Sequence, residues 1–296
     1  TGNISILSDG GIHAHGGNIV ITSGDVSNVG GNIILGVDTD ENSSGYIYLN
    51  SVLTVNSFGG NISLGGGITG LGVAYSVSSY SDYGVYLNGA SLYANGNASD
   101  TGGDISIRGQ GSSYGVGFTG SGSVINSGTG TISISGSSSG SYGVWFGNSM
   151  AMNSDSTSTT AISISGTSSA NYGIYANSNV ANLLIQTTSS TANTGNIVIT
   201  GSGPDIGICF DNFGSGYKTQ ILTVKGDITL NGQGSGNRSI WTHTDAGFYL
   251  GQRANSTAVN GITPVEAIST GDITVNSVSG IVGYGAWVIK TGDASN

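Results

Sequence analysis

The sequence predicts an all-β fold: a parallel β-helix of about ten coils, with three strands per coil of about 30 residues. Three observations lead there. A Gly-Asn/Asp-Ile-x-Ile repeat recurs along the whole chain, and a second motif follows it at a near-constant distance. The apolar residues fall in short alternating runs and not in the 3.6-residue stripes of helices.

The repeat is clearest at Gly2-Asn3-Ile4-Ser5-Ile6, Gly17-Asn18-Ile19-Val20-Ile21, Gly31-Asn32-Ile33-Ile34-Leu35 and Gly60-Asn61-Ile62-Ser63-Leu64. It returns at Gly103-Asp104-Ile105, Gly195-Asn196-Ile197, Gly226-Asp227-Ile228 and Gly271-Asp272-Ile273, with looser copies around Ile132 and Ile162. Apolar residues two apart bracket a smaller one, the period of a strand with one buried face. The Gly-Asn or Gly-Asp pair ahead of them supplies turn chemistry, because both residue types tolerate left-handed backbone angles.

The second motif reads Tyr114-Gly115-Val116-Gly117-Phe118, Tyr142-Gly143-Val144-Trp145-Phe146 and Tyr172-Gly173-Ile174-Tyr175-Ala176. Ile206-Gly207-Ile208-Cys209-Phe210 and Tyr284-Gly285-Ala286-Trp287-Val288 are looser versions. The centres lie 11, 12, 12, 11 and 13 residues after Ile105, Ile132, Ile162, Ile197 and Ile273, and Ile240 follows Ile228 by 12. A third apolar run lies beyond several of these, as at Val124-Ile125, Leu183-Leu184-Ile185 and Ile221-Leu222. Three strands per 27 to 35 residues make one coil, and the longer 45-residue interval from Ile228 to Ile273 implies a loop projecting at a turn. An antiparallel β-sandwich is the rival, but it does not require a homologous strand at one spacing.

Residues 1–65 look tighter: Ile4, Ile19, Ile33, Ile47 and Ile62 are 15, 14, 14 and 15 apart, so a coil there is read as two half-units. Residues 66–296 carry the longer coils with loop insertions. The whole chain is one solenoid segment. The motif copies at Thr1–Ser5 and Thr291–Ser295 stand unfinished at its two ends, the expectation for a piece of a longer chain or a subunit stacked in a filament.

Composition narrows the function. Gly is 54 of 296 residues and only 7% of the chain is charged, yet 36% is hydrophobic, enough for a core. The net charge is −10, and residues 1–107 hold eight acids and no Lys or Arg. Such a chain lacks the basic patch that nucleic acid or an anionic membrane surface requires. No apolar run approaches the ~20 residues of a membrane-spanning helix. The single cysteine, Cys209, has no internal disulfide partner and reads as a small side chain on a strand. Pro204 and Pro264 are the only prolines, leaving nearly every backbone N–H for sheet ladders.

The Gly-Gly-Asn-Ile-x-Ile/Leu runs at Gly16–Ile21, Gly30–Leu35 and Gly59–Leu64 resemble the repeats of filamentous-haemagglutinin-like adhesins and autotransporter passengers. The resemblance implies that the parallel β-helix is right-handed, and it implies a bacterial cell-surface or extracellular location, a structural or adhesive role, and no catalytic motif. The chain is accordingly expected not to be an enzyme, to self-associate into a filament or fibre, and to meet glycans or a host cell surface.

Several candidate sites follow. Alternation places Trp145, Tyr175, Trp241 and Trp287 outward, with Tyr48 and Tyr86 as equivalents, so a column of rings one coil apart is expected on the surface. Such rings stack sugars or join subunits; alternatively they cover one another and stabilise the stack. Asp38, Asp40 and Asn42 have the spacing of oxygen ligands in a calcium loop, although Ser43 and Leu49 replace the glycine and the closing glutamate of that motif. No other cofactor is expected. His13 and His15 share a strand face without a third metal ligand nearby, and His243 shares one with Asp245 without a positioned nucleophile. A polysaccharide-binding or polysaccharide-cleaving β-helix is the alternative; cleavage calls for clustered carboxylates, whereas most acids here fall in Gly-Asp turns. The outward slots Ser5, Val20, Ile34, Ser63, Ser106 and Thr229 are too mixed for an ice-binding lattice. Asn97-Ala98-Ser99 and Asn255-Ser256-Thr257 match a glycosylation sequon, as chance allows in so Asn- and Ser-rich a chain.

Overall fold

The structure is a computed structural model describing residues 2–25, 30–75, 82–96, 102–177, 182–212, 217–234, 238–251, 253, 257–265 and 271–289. Both sequons run into residues outside this set. Successive strands form nine stacked levels. Level 1 holds β1 (Ile4–Ser8) and β2 (Ile12–Thr22), and level 2 holds β3 (Ile33–Val37) and β4 (Ile47–Asn56). Level 3 holds β5 (Ile62–Gly66), the short β6 (Ala74–Tyr75) and β7 (Tyr83–Tyr93). Level 4 contains β8 (Ile105–Gly111), β9 (Tyr114–Thr119) and β10 (Ser123–Asn126). Level 5 contains β11 (Ile132–Ser138), β12 (Tyr142–Phe146) and β13 (Met150–Ser154). Level 6 contains β14 (Thr160–Ser168), β15 (Tyr172–Ala176) and β16 (Leu183–Thr187). Level 7 contains β17 (Asn196–Gly203), β18 (Ile206–Asn212) and β19 (Thr219–Thr223). Level 8 holds β20 (Ile228–Gly234) and β21 (Ile240–Leu250), and level 9 holds β22 (Ile273–Ser277) and β23 (Ile281–Ile289).

All the strand pairings between levels are parallel. On the first face the order β1-β3-β5-β8-β11-β14-β17-β20-β22 aligns the repeat isoleucines, Ile19 excepted, in one column: Ile4, Ile33, Ile62, Ile105, Ile132, Ile162, Ile197, Ile228 and Ile273. On the second face Ile12, Ile47, Val85, Val116, Val144, Ile174, Ile208, Ile240 and Ile281 align. A third column runs from Ile21 through Val55, Leu92, Ile125, Met152, Ile185, Ile221 and Leu250 to Ile289. The members of these columns in levels 2 to 7 are buried in one continuous core. Each buried aliphatic side chain stabilises the stack by roughly 1.5–3 kcal/mol.

The repeat motif gains a physical meaning here. The asparagine or aspartate side chain accepts the backbone N–H of its counterpart one level on. Asn32 donates to Asn3 Oδ1 (2.9 Å), Asn61 to Asn32 Oδ1 (2.9 Å), and Asp104 to Asn61 Oδ1 (2.8 Å). Thr131 donates to Asp104 Oδ1, Asp227 to Asn196 Oδ1 and Asp272 to Asp227 Oδ1, each at 2.8 Å. At most copies the glycine ahead of it is needed for close approach and not for the left-handed angle expected from sequence, which Gly195 alone among the described motif glycines adopts (φ 76°). A Cβ on Gly31 would meet the carbonyl of Gly2 at 2.5 Å, and Gly60, Gly103, Gly226 and Gly271 are similarly blocked by the preceding level's backbone. A second ladder lies where the third face turns back into the first. Ser127 donates to Gly130 O (2.7 Å), Thr187 to Gly195 O (2.6 Å) and Thr223 to Gly226 O (2.5 Å), all three hydroxyl residues being fully buried.

Four expectations need correction. The levels number nine, not about ten. Among the described residues, only levels 4 to 7 carry separate strands on the second and third faces; at levels 1 to 3, 8 and 9 these two runs fuse into long strands such as β7 and β21, whose pairings carry register shifts. Gly89 (φ 65°) and Gly247 (φ 112°) lie within the bends of β7 and β21. Residues 1–65 stack at an interval of 29 residues, two half-units per coil, from Ile4 to Ile33 to Ile62; Ile19 pairs with Leu53 and Ile47 with Ile12, so these two lie on the other faces and not in the Ile4 column. Val20 therefore lies on the third face, not among the outward slots of the first. The described part of the long interval before β22 does not project. Its described residues 257–265 lie along the outer side of the third face, where Val259 packs on Ala151, Leu184 and Leu222.

Candidate functional site

The second face carries the aromatic column, and the corner glycine of the Tyr-Gly-Val motif makes it. Gly84, Gly115, Gly143, Gly173 and Gly207 sit where the first face turns into the second, against Gly109, Gly136, Gly166 and Gly201 of the first-face strands. No Cβ fits: on Gly143 it would lie 2.6 Å from Gly173 O and 2.7 Å from Gly166 C. The turn at this glycine breaks strict alternation. Tyr142 and Trp145, three apart, are both half-buried on the outer side, while Val144 and Phe146 are buried.

Two adjoining columns of rings result. One is Tyr83, Tyr114, Tyr142 and Tyr172. The other runs through His13, Tyr48, Tyr86, Gly117, Trp145, Tyr175, Cys209 and Trp241. Five of the six expected rings thus share one register column, each half-buried. Trp287 does not. The turn from β22 to β23 is short, so Ile281 takes the core slot, Val282 stands above Trp241, and Trp287 pairs with Phe248 on the third face.

The rings stack on each other. Tyr48 and Tyr86 are 4.6 Å apart at 13°, Tyr83 and Tyr114 4.4 Å at 12°, Tyr114 and Trp145 5.0 Å at 26°, and Tyr142 and Tyr172 5.5 Å at 13°. Tyr83 leans into the gap at Gly117, where a Cβ would touch its ring at 2.7 Å. Such stacking leaves mainly ring edges and phenol oxygens toward solvent. Burial raises the Tyr83 and Tyr175 phenols well above their ordinary value and pushes Tyr172 up to about 12, with neighbouring phenols or acids adding to it.

At its upper end the array gains charge. Asp211 and His243 pair in register; His243 Nδ1 lies 3.4 Å from Asp211 Oδ1, and Tyr175 Oη lies 3.5 Å from Asp211 Oδ2. The Arg238 guanidinium sits 5.1 Å over the Trp241 ring. Burial holds the Asp211 carboxyl above the usual carboxylate range, opposed by His243 and the Tyr175 hydrogen bond. Cys209, between Tyr175 and Trp241, is fully buried, and burial pushes its thiol up. The partner of His243 on the adjacent level was not legible, because it depends on which strands stack. The first tyrosines of the motif were also missed; a residue two before a core valine reads as buried until the corner glycine is recognised.

The other candidates lie apart. Asp38 is turned into its own loop in a left-handed conformation (φ 53°), its Oδ1 accepting Ser44 N–H at 3.2 Å. Asp40 Oδ2 accepts the Asn42 amide at 2.7 Å. The loop borders an open cavity of about 490 Å³ shared with Ile68, Thr69 and Tyr75. Among the described residues no three His, Cys, Asp or Glu gather as a metal-holding group. His13 is exposed, its ring edge-on to Tyr48 at 4.9 Å; the side chains of His15 and Asp245 lie outside the described set. No protein-family model, no curated protein and no solved structure matches the chain.

Proposed function

We propose that this chain is a non-catalytic structural segment of an extracellular, bacterial cell-surface protein of the adhesin or filament type. It spans distance, presents its faces and loops, and associates with further copies of itself and with surface glycans. The observation that carries this reading is the continuity of the ladders. The hydrophobic columns run unbroken through all nine levels, so adding levels lengthens the body without interrupting them. Hydrogen bonds between levels run along the axis, so tension is shared by every bond joining two levels. The absence of Lys and Arg from residues 1–107 supports a life among trypsin-like proteases.

Analytical ultracentrifugation with a glycan array tests it. Concentration-dependent polymers or selective glycan retention are the expected outcome. A strict monomer that retains no glycan and releases reducing sugars from polysaccharide would replace this reading with the enzymatic one. A second reading, a polysaccharide-binding solenoid, is favoured by the outward ring edges beside Asp211 and His243. Removing Trp241 and Tyr175 together abolishes glycan retention on that reading and leaves polymerisation intact.

A further inference from the structure

In a solenoid each level touches only its neighbours, so each opens with little reference to distant levels. Residues 257–265 break that rule. Val259 and Ile262 exchange both backbone hydrogen bonds, each 2.9 Å, around Asn260-Gly261. Asn260 and Gly261 both have positive φ (50° and 85°), the two-residue turn that joins a tight hairpin. The tip of this hairpin reaches back from level 8 to level 4, roughly 19 Å at the spacing between strands. There the Asn260 amide donates to Ser123 O (2.9 Å) on level 4 and Ser149 O (2.8 Å) on level 5, residues 137 and 111 positions away.

The trailing arm is held on level 6. Gln186 Nε2 donates to Thr263 O at 3.2 Å and Gln186 Oε1 accepts Val265 N–H at 3.0 Å, so one side-chain amide pairs with the arm as a neighbouring strand would. Gln186 is itself tied down to level 5 by Asn153 Oδ1 at 2.9 Å. Val259, with Ile262 and Val265, packs on Ala151, Leu184 and Leu222 of levels 5, 6 and 7, a small apolar cluster separate from the main core. Arg253 reaches Pro264 O at 3.3 Å, joining the two arms.

We propose that residues 257–265 are a clasp that fuses levels 4 to 7 into one cooperative block within an otherwise level-by-level solenoid. The block is staked at its far end by Asn260 and along its length by Gln186 and the apolar cluster, so opening level 4 or 5 on the third face requires releasing a segment that leaves the stack at level 8. Levels 1 to 3 lie outside its reach and open independently.

Hydrogen exchange followed by mass spectrometry on the intact chain tests this. Asn260→Gly removes the amide donor and keeps a residue suited to the left-handed turn, so the variant keeps its fold. Exchange in β10 and β13 is expected to rise roughly tenfold, the loss of two hydrogen bonds. Peptides from β3 and β5 serve as the internal reference and are expected to stay unchanged. Gln186→Leu, which keeps bulk and loses both arm contacts, is expected to raise exchange in β10 and β13 as well. Exchange that rises only within residues 257–265, or that rises equally at levels 2 and 3, overturns the clasp.

Discussion

A single methyl group at Gly143 on level 5 would strike the backbone of level 6 at three places, because Gly143 lies against Gly166, Thr167 and Gly173. No side chain there can swing aside, so Gly143→Ala is expected to cost about 3 kcal/mol or more. Gly10→Ala, with open space around it, is expected to stay within about 0.5 kcal/mol; matched denaturant titrations of the two variants read the difference. Asp211 gives a pH signature. Burial raises its folded pKa, so its contribution is present below the ordinary carboxylate pKa and fades as pH rises through the raised folded value. Asp211→Asn should therefore remove that fall, and its Tm should drop less than the parent's between pH 4 and pH 7. A parent and variant with parallel Tm curves would show that Asp211 does not titrate as its burial requires. At this scale the sequence was informative about side-chain facing at Tyr48, Tyr86, Trp145, Tyr175 and Trp241. It was silent about Tyr83 and Tyr114, whose outward turn depends on how closely two backbones pass at the corner.

Among the elements, the turn after the third face carries the most concentrated polar burial. Thr187 is fully buried and its hydroxyl satisfies Gly195 O, a carbonyl at the head of the next first-face strand. Thr187→Val keeps the shape and leaves that carbonyl without its donor, so a loss of about 1–3 kcal/mol is expected in chemical denaturation. A neutral outcome would mean that the turn re-forms without the hydroxyl ladder. The first-face strands were legible because Ile-x-Ile has one reading when one face is buried, and Ile105-Ser106-Ile107-Arg108 alternates buried and outward as expected. The fused strands β2, β4, β7, β21 and β23 were less legible. Their bends replace a turn with a register shift, and the motif residues that fall at a bend, Gly17-Asn18 in β2 and Tyr284-Gly285 in β23, imitate the first or the second motif at another place in the coil. Trp287 was misplaced for the same reason: Tyr284–Val288 imitates the second motif, but stacking follows Ile281.

For the whole molecule, the register of the repeats was legible and the long-range contacts were not. Spacing within the chain fixes which residues recur, whereas the clasp depends on Asn260 meeting carbonyls more than 100 positions away. On the proposed structural role, the stack of nine levels bears tension end to end. Pulling single molecules by their two termini tests it most directly. Levels outside the clasp should release one at a time, each adding about 10 nm of chain for some 30 residues at full extension, with a larger joint release from levels 4 to 7. A single all-or-none release of the entire chain would contradict level-by-level stacking.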